Sequence, residues 1–221
     1  MNSYQNLALL ENLYRLKSLG FNYVDPINPN TIKPQPLSLP NSYDALIEAI
    51  QGCHLCDLSK SRSQSMRGYG SLKPTIVFVD AFVSSAEDES NTYYVGRSGG
   101  MLRDMIEKVL QLSIQEVYIT HAVKCKPFGF QQPSPSECSS CFPFLQKQLE
   151  ILNPKLIVTL GYDAYRLLTH DESSFEAVRG HKIPFGKASI IPLFHPTYLV
   201  RNPSLKKEAM RDLQTIKEAL K

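Results

Sequence analysis

Four short runs of β-branched and aliphatic residues constrain this chain more than any other feature. They are Thr75-Ile76-Val77-Phe78-Val79, Val117-Tyr118-Ile119-Thr120, Leu156-Ile157-Val158-Thr159-Leu160 and Ser189-Ile190-Ile191-Pro192-Leu193. Each reads as a strand buried on both faces. Stretches with helical spacing lie between them, near 99–111, 136–152 and 162–169, and a last one near 204–220. Val- and Ile-rich strands separated by helices predict an α/β fold of three layers, α/β/α, around a mostly parallel central four-stranded sheet. In such sheets ligands bind beyond the carboxyl ends of the strands. The search for chemistry therefore narrows to Asp80 to Asp88, His121 to Lys126, Gly161 and Phe194-His195-Pro196.

Ahead of this pattern, Leu7, Leu10, Leu13, Tyr14 and Leu19 recur at threes and fours, and Gly20 stands where a helix would stop. Five of the fifteen prolines fall between Pro26 and Pro40, which predicts an extended linker. The expected organisation is an N-terminal helix in 1–25, a Pro-rich linker in 26–42 and one domain in 43–221. No run of about 18 apolar residues offers a membrane span. The first residues lack a basic region leading into an apolar stretch, so a cytoplasmic protein is expected. Net charge is only +3, but nine basic residues face three acidic ones from Arg179 to Lys221. That stretch suits either a solvated helix face or a surface that follows phosphates.

Five cysteines, an odd number, argue against a disulfide framework. Cys53/Cys56 and Cys138/Cys141 form two C-x-x-C pairs, and Cys125 stands alone. Two intervening residues let both sulfurs face one metal. Because 81 residues separate the pairs, a compact zinc ribbon fits poorly. Spacing by itself leaves zinc and an iron–sulfur cluster both open.

A series of motifs resembles the family 4 uracil-DNA glycosylases. It comprises Cys53-His54-Leu55-Cys56, Glu87-Asp88, Tyr94-Val95-Gly96-Arg97-Ser98-Gly99 and Thr120-His121-Ala122-Val123-Lys124-Cys125-Lys126-Pro127. It continues through Pro154 to Gly161 and Arg179-Gly180, and ends in His195-Pro196-Thr197-Tyr198-Leu199-Val200-Arg201. The resemblance runs from about residue 43 to the C-terminus. It implies a DNA-repair hydrolase that releases uracil or another deaminated base, acting as a monomer on single- or double-stranded DNA. It also implies a structural [4Fe–4S] cluster on Cys53, Cys56, Cys125 and Cys141, with Cys138 left over. By the same resemblance His195 donates to the departing base, and Tyr94 stacks on that base. Tyr198, Leu199 and Val200 form a wedge for the gap left by the flipped nucleotide, and Arg201 contacts phosphate.

Two positions depart from the family pattern. The loop after the first strand, usually Gly-Glu-Ala-Pro-Gly, here reads Asp80-Ala81-Phe82-Val83-Ser84. Ala81 and Phe82 thus stand at substrate-binding positions without the carboxylate. Asp80 lies one residue off, and such a slip turns a side chain to the opposite face of an extended segment, so Asp80 is not expected to take the glutamate's place. Glu87 or Asp88 is an alternative anchor for water. His121 replaces the base-reading Asn. An amide presents donor and acceptor side by side, whereas a neutral imidazole has them on opposite sides of its ring. A second reading follows from these losses: a catalytically inactive iron–sulfur DNA-binding protein of the same fold.

Overall fold

The computed structural model describes residues 10, 13–20, 39–93, 95–129 and 131–220. The chain divides into two compact units, Met1–Ser38 and Leu39–Lys221. In the first, residues 13–18 are helical, and Gly20 follows at φ 91°, where that stop is expected. The rest of the expected helix, and the expected linker up to Ser38, lie outside the described residues.

The second unit holds a six-stranded sheet in the order β1-β3-β2-β4-β6-β5. β2 (Ile76–Phe82), β3 (Tyr118–Val123), β4 (Leu156–Leu160) and β6 (Ala188–Leu193) are the four expected strands, and they run parallel. β1 (Tyr69–Gly70) and β5 (Ile183–Phe185) add an antiparallel strand at each edge. The sequence reading contains neither, because two or three residues are too few to show a periodicity.

Alternation along the strands divides the core into two layers. Ile76, Phe78, Ile119, Val158 and Ile191 meet Leu102 of α3 (Gly96–Asp104), Ile106 of the π-helical turn that continues it (Met105–Leu110), and Leu213 and Ile216 of α8 (Lys206–Ala219). Val77, Val79, Ala122, Ile157 and Ile190 meet Leu145 and Leu149 of α4 (Pro135–Leu152) and Tyr165 and Leu168 of α5 (Tyr162–Thr169). Each fully buried aliphatic side chain in these layers contributes about 1.5–3 kcal/mol. Four further α-helices stand among the described residues of this unit: α1 (Tyr43–Gln51), α2 (Ser85–Ser90), α6 (Phe175–Val178) and α7 (Pro196–Arg201).

Local signals set the helix starts. α4 opens with Ser134 and Glu137 in a reciprocal capping box and Pro135 at its first turn. α2 opens with the same box made by Ser84 and Glu87. Among the described residues no helix is long and apolar enough to cross a membrane.

Candidate active site

The chain leaves β2 for the face carrying α3 and leaves β4 for the face carrying α5. The carboxyl ends of these adjacent strands therefore open a crevice between diverging connections. Asp80 stands there, paired in register with His121 of β3 on one side and Leu160 of β4 on the other. His195 follows β6 and caps α7, with Nδ1 accepting the Thr197 backbone N–H at 3.1 Å. An unprotonated Nδ1 leaves the ring proton on Nε2, which points at Asp80 Oδ2, 3.0 Å away. Burial disfavours a charged imidazole here, but the Asp80 carboxylate outweighs it and raises the His195 pKa. Gly161 lies beneath the ring at φ 86° and ψ 172°. A Cβ on Gly161 would stand 3.1 Å from His195 Cβ.

Two neighbouring cavities share Asp80, Phe82, Ser84, Leu160, His195 and Thr197 as a common wall. The larger, about 540 Å³, opens past Ala81, Phe194 and Tyr198. The smaller, about 90 Å³, ends against Glu87, Val95, Leu102 and His121. His121 Nε2 lies 3.3 Å from Glu87 Oε2, and Nδ1 is buried with no hydrogen-bond partner among the described residues. Burial alone would raise the Glu87 pKa. Hydrogen bonds and charge from His121, with further hydrogen bonds from Ser84, overcome that and hold it at about 2. Tyr93 stacks over His121, and its hydroxyl accepts the Gly68 N–H at 2.5 Å. Tyr94 lies outside the described residues.

The slip between Ala81 and Asp80 has the geometric effect the alternation rule requires, with an outcome the sequence does not reveal. Ala81 is buried and follows Val79. Asp80 is turned to the opposite face, and that is the face His195 reaches. Of the two acids in α2, Glu87 enters the smaller cavity. Asp88 instead accepts the Ser63 N–H at 3.0 Å and its hydroxyl at 2.9 Å, bracing the 61–65 segment.

Cys53, Cys56, Cys125 and Cys141 come from three separated segments and line one cavity. Cys138 lines a different one, with Phe82, Pro133 and Phe142. Arg62 Nη1 donates to Cys125 Sγ at 2.9 Å and the Lys124 N–H to Cys141 Sγ at 3.3 Å. Among the described residues no trio of His, Cys, Asp or Glu is arranged to hold a metal ion.

On α7, Tyr198 is 48% exposed, whereas Leu199 is 1% exposed and belongs to the core. Arg201 is exposed. Phe194 lies between the Tyr198 ring at 5.7 Å and the Arg179 guanidinium at 4.3 Å. Arg179 is held in turn by Asp212, and by Glu208 at 3.0 Å. Its charge braces α8 against the site instead of facing a ligand. Sequence reasoning singles out neither Tyr93 nor the Asp80–His195 contact. Both depend on which side chains the fold brings together.

A model of the uracil DNA glycosylase superfamily matches residues 67–214. The type-4 uracil-DNA glycosylase of Thermotoga maritima is 35% identical over 178 residues, covering 79% of this chain and 92% of that protein. The type-4 enzyme of Sulfurisphaera tokodaii is 32% identical, over 80% of this chain and 84% of its own length. That of Archaeoglobus fulgidus is 31% identical, over 80% and 92% respectively.

Proposed function

The chain belongs to the uracil DNA glycosylase superfamily, alongside its type-4 enzymes, and from that premise we propose that it hydrolyses the N-glycosidic bond of uracil, or of another deaminated base, in DNA. The observation that carries the proposal is the His195 ring. It sits at the wall shared by the two cavities, with its tautomer fixed by the Thr197 amide. A base extruded from the helix enters the smaller cavity while its sugar and phosphates remain in the larger. As the bond to the base breaks, negative charge collects on the leaving ring. The Nε2 proton of His195 is the donor that meets it, and removing one such donor costs about 10²–10³ in rate.

Tyr198 is the wedge residue in this reading, since it is the exposed ring of α7 while Leu199 is committed to the core. Arg201, exposed on the same helix, takes a phosphate, which makes binding salt-dependent.

The four cysteines on one cavity fit a [4Fe–4S] cluster in donor type and number, and the two N–H donors to sulfur are of the kind that stabilise thiolate ligands. Cys53, Cys56, Cys125 and Cys141 would hold it. When bound, the cluster supplies a crosslink between the segment after α1, the end of β3 and α4.

The alternative is a DNA-binding protein without turnover. It is favoured by one observation, that His121 Nε2 is already engaged by Glu87. Base release decides between them. Labelled oligonucleotides carrying uracil, hypoxanthine or xanthine, in single strands and mismatched duplexes, are incubated with the full chain and with His195→Ala. The protein is taken from a host lacking its own uracil glycosylase. The proposal expects abasic product with the full chain and a loss of about 10²–10³ in the variant. Tight, salt-sensitive binding without product establishes the alternative.

A further inference from the structure

Resting on the glycosylase reading, we propose that Asp80 is the carboxylate that orients and deprotonates the attacking water. From Asp80 to Ser84 the chain carries no other acid, and Ala81, at the next position, is buried and has no carboxylate to offer. Among the described residues four carboxylates line the two cavities: Asp80, Glu87, Asp163 and Glu176. Glu87 stands at the base-holding end, with Oε2 taken by Ser84 and His121. Glu176 is 76% exposed and pairs with Arg179 at 3.9 Å. Asp163 is exposed. Asp80, with a side chain 20% exposed, lies where the cavities meet, which is where the sugar carbon of an extruded nucleotide has to lie. Its Oδ1 accepts the Ala81 N–H at 2.6 Å, which fixes the plane of the carboxylate.

The step balances without any further reactant. The water oxygen bonds to C1′ as the bond from C1′ to the base nitrogen breaks, and that electron pair leaves with the base. Asp80 accepts the proton from the water. The Nε2–H of His195, which rests on Asp80 Oδ2, turns to the carbonyl oxygen of the base, where charge accumulates. The products are the abasic 1′-hydroxyl and the base anion, which takes a proton from Asp80 or solvent. One contact thus serves both ends of the reaction: before the substrate arrives it holds the Asp80 carboxylate and the His195 ring in place.

The test is single-turnover release of uracil by the full chain, Asp80→Asn, Asp80→Ala and His195→Ala, with and without sodium azide. Asp80→Asn keeps the side-chain shape if Asp80→Ala does not fold. Both Asp80 variants are expected to lose about 10²–10⁴ in rate, with affinity for an abasic-site oligonucleotide within about threefold of the parent. Azide is expected to restore Asp80→Ala at least tenfold by attacking C1′ itself, leaving a 1′-azido sugar, and to do nothing for His195→Ala. A folded, slow Asp80→Ala that azide does not accelerate makes Asp80 a positioning residue for His195 and overturns the water role. Asp80→Asn working at the parent rate while His195→Ala is slow overturns it too and leaves the glycosylase reading intact. A parent protein that releases no base overturns both.

Discussion

The ring of Tyr93 lies 5.5 Å from that of His121 and within 27° of parallel to it. Stacked on one side and paired with Glu87 at its edge, the imidazole has little freedom to rotate towards a base. An Asn at this position would present a donor and an acceptor together. His121→Asn is therefore expected to raise the rate of uracil release about tenfold, the worth of one well-made hydrogen bond. Single-turnover kinetics on uracil and hypoxanthine substrates check it. An unchanged ratio between the two bases removes His121 from base selection.

Glu87 makes the same cluster acid-sensitive. Its pKa of about 2 in the folded chain lies below its ordinary 4.5. It therefore contributes stability above pH 4.5 that is lost as the pH falls towards 2. The contribution is at most roughly 3 kcal/mol. Urea midpoints of the parent are expected to fall across this window more steeply than those of Glu87→Gln. Parallel curves would show that the pairing is absent in solution.

The cysteines divide by the cavity they line. Cys141→Ser is expected to lose bound iron and the visible absorption of the purified protein, whereas Cys138→Ser keeps both. Iron and sulfide analysis of the two variants, purified without oxygen, reads the result. Loss in both would place Cys138 at the cluster.

Gly161 carries backbone angles that other residues scarcely adopt, with His195 directly above. Gly161→Ala is expected to cost about 1–3 kcal/mol in stability and, by displacing the imidazole, to slow base release at least about tenfold. Thermal melting and single-turnover rates measured together separate the two effects.

Arg179 joins α8 to the residue preceding His195. Arg179→Ala leaves Asp212 buried and without that partner beside Gly180 and strips the cation from Phe194. A loss of about 3 kcal/mol is expected, lowering the melting temperature by roughly 10 °C for a chain of this size. A shift below about 2 °C would mean that the pair contributes no more than an exposed one.

The parallel core was legible because it depends on local composition. A buried strand needs a run such as Leu156 to Leu160, and a helix such as α4 announces itself through Ser134, Pro135 and Glu137. The place of His195 beyond the carboxyl edge of the sheet was legible. That Asp80 stands beside it was not. The alternation rule correctly separates Asp80 from Ala81, but which of two faces holds the site depends on where α7 brings His195, 115 residues later. The same holds for Tyr93, in the connection between α2 and α3, which meets His121 of β3 only in the folded chain. Leu199 and Tyr198 are adjacent apolar residues in the sequence, and helix rotation alone decides that one is core and the other surface.

The short edge strands carry a further consequence. β1 presents two residues, and β5 has Pro184 at its centre, with no N–H to offer. A parallel sheet of four strands ending in long open edges would template the addition of further chains. Here each flank is closed by a segment too short or too poor in donors to pair again. The folded sheet thus offers a strand of another chain little to extend along either edge.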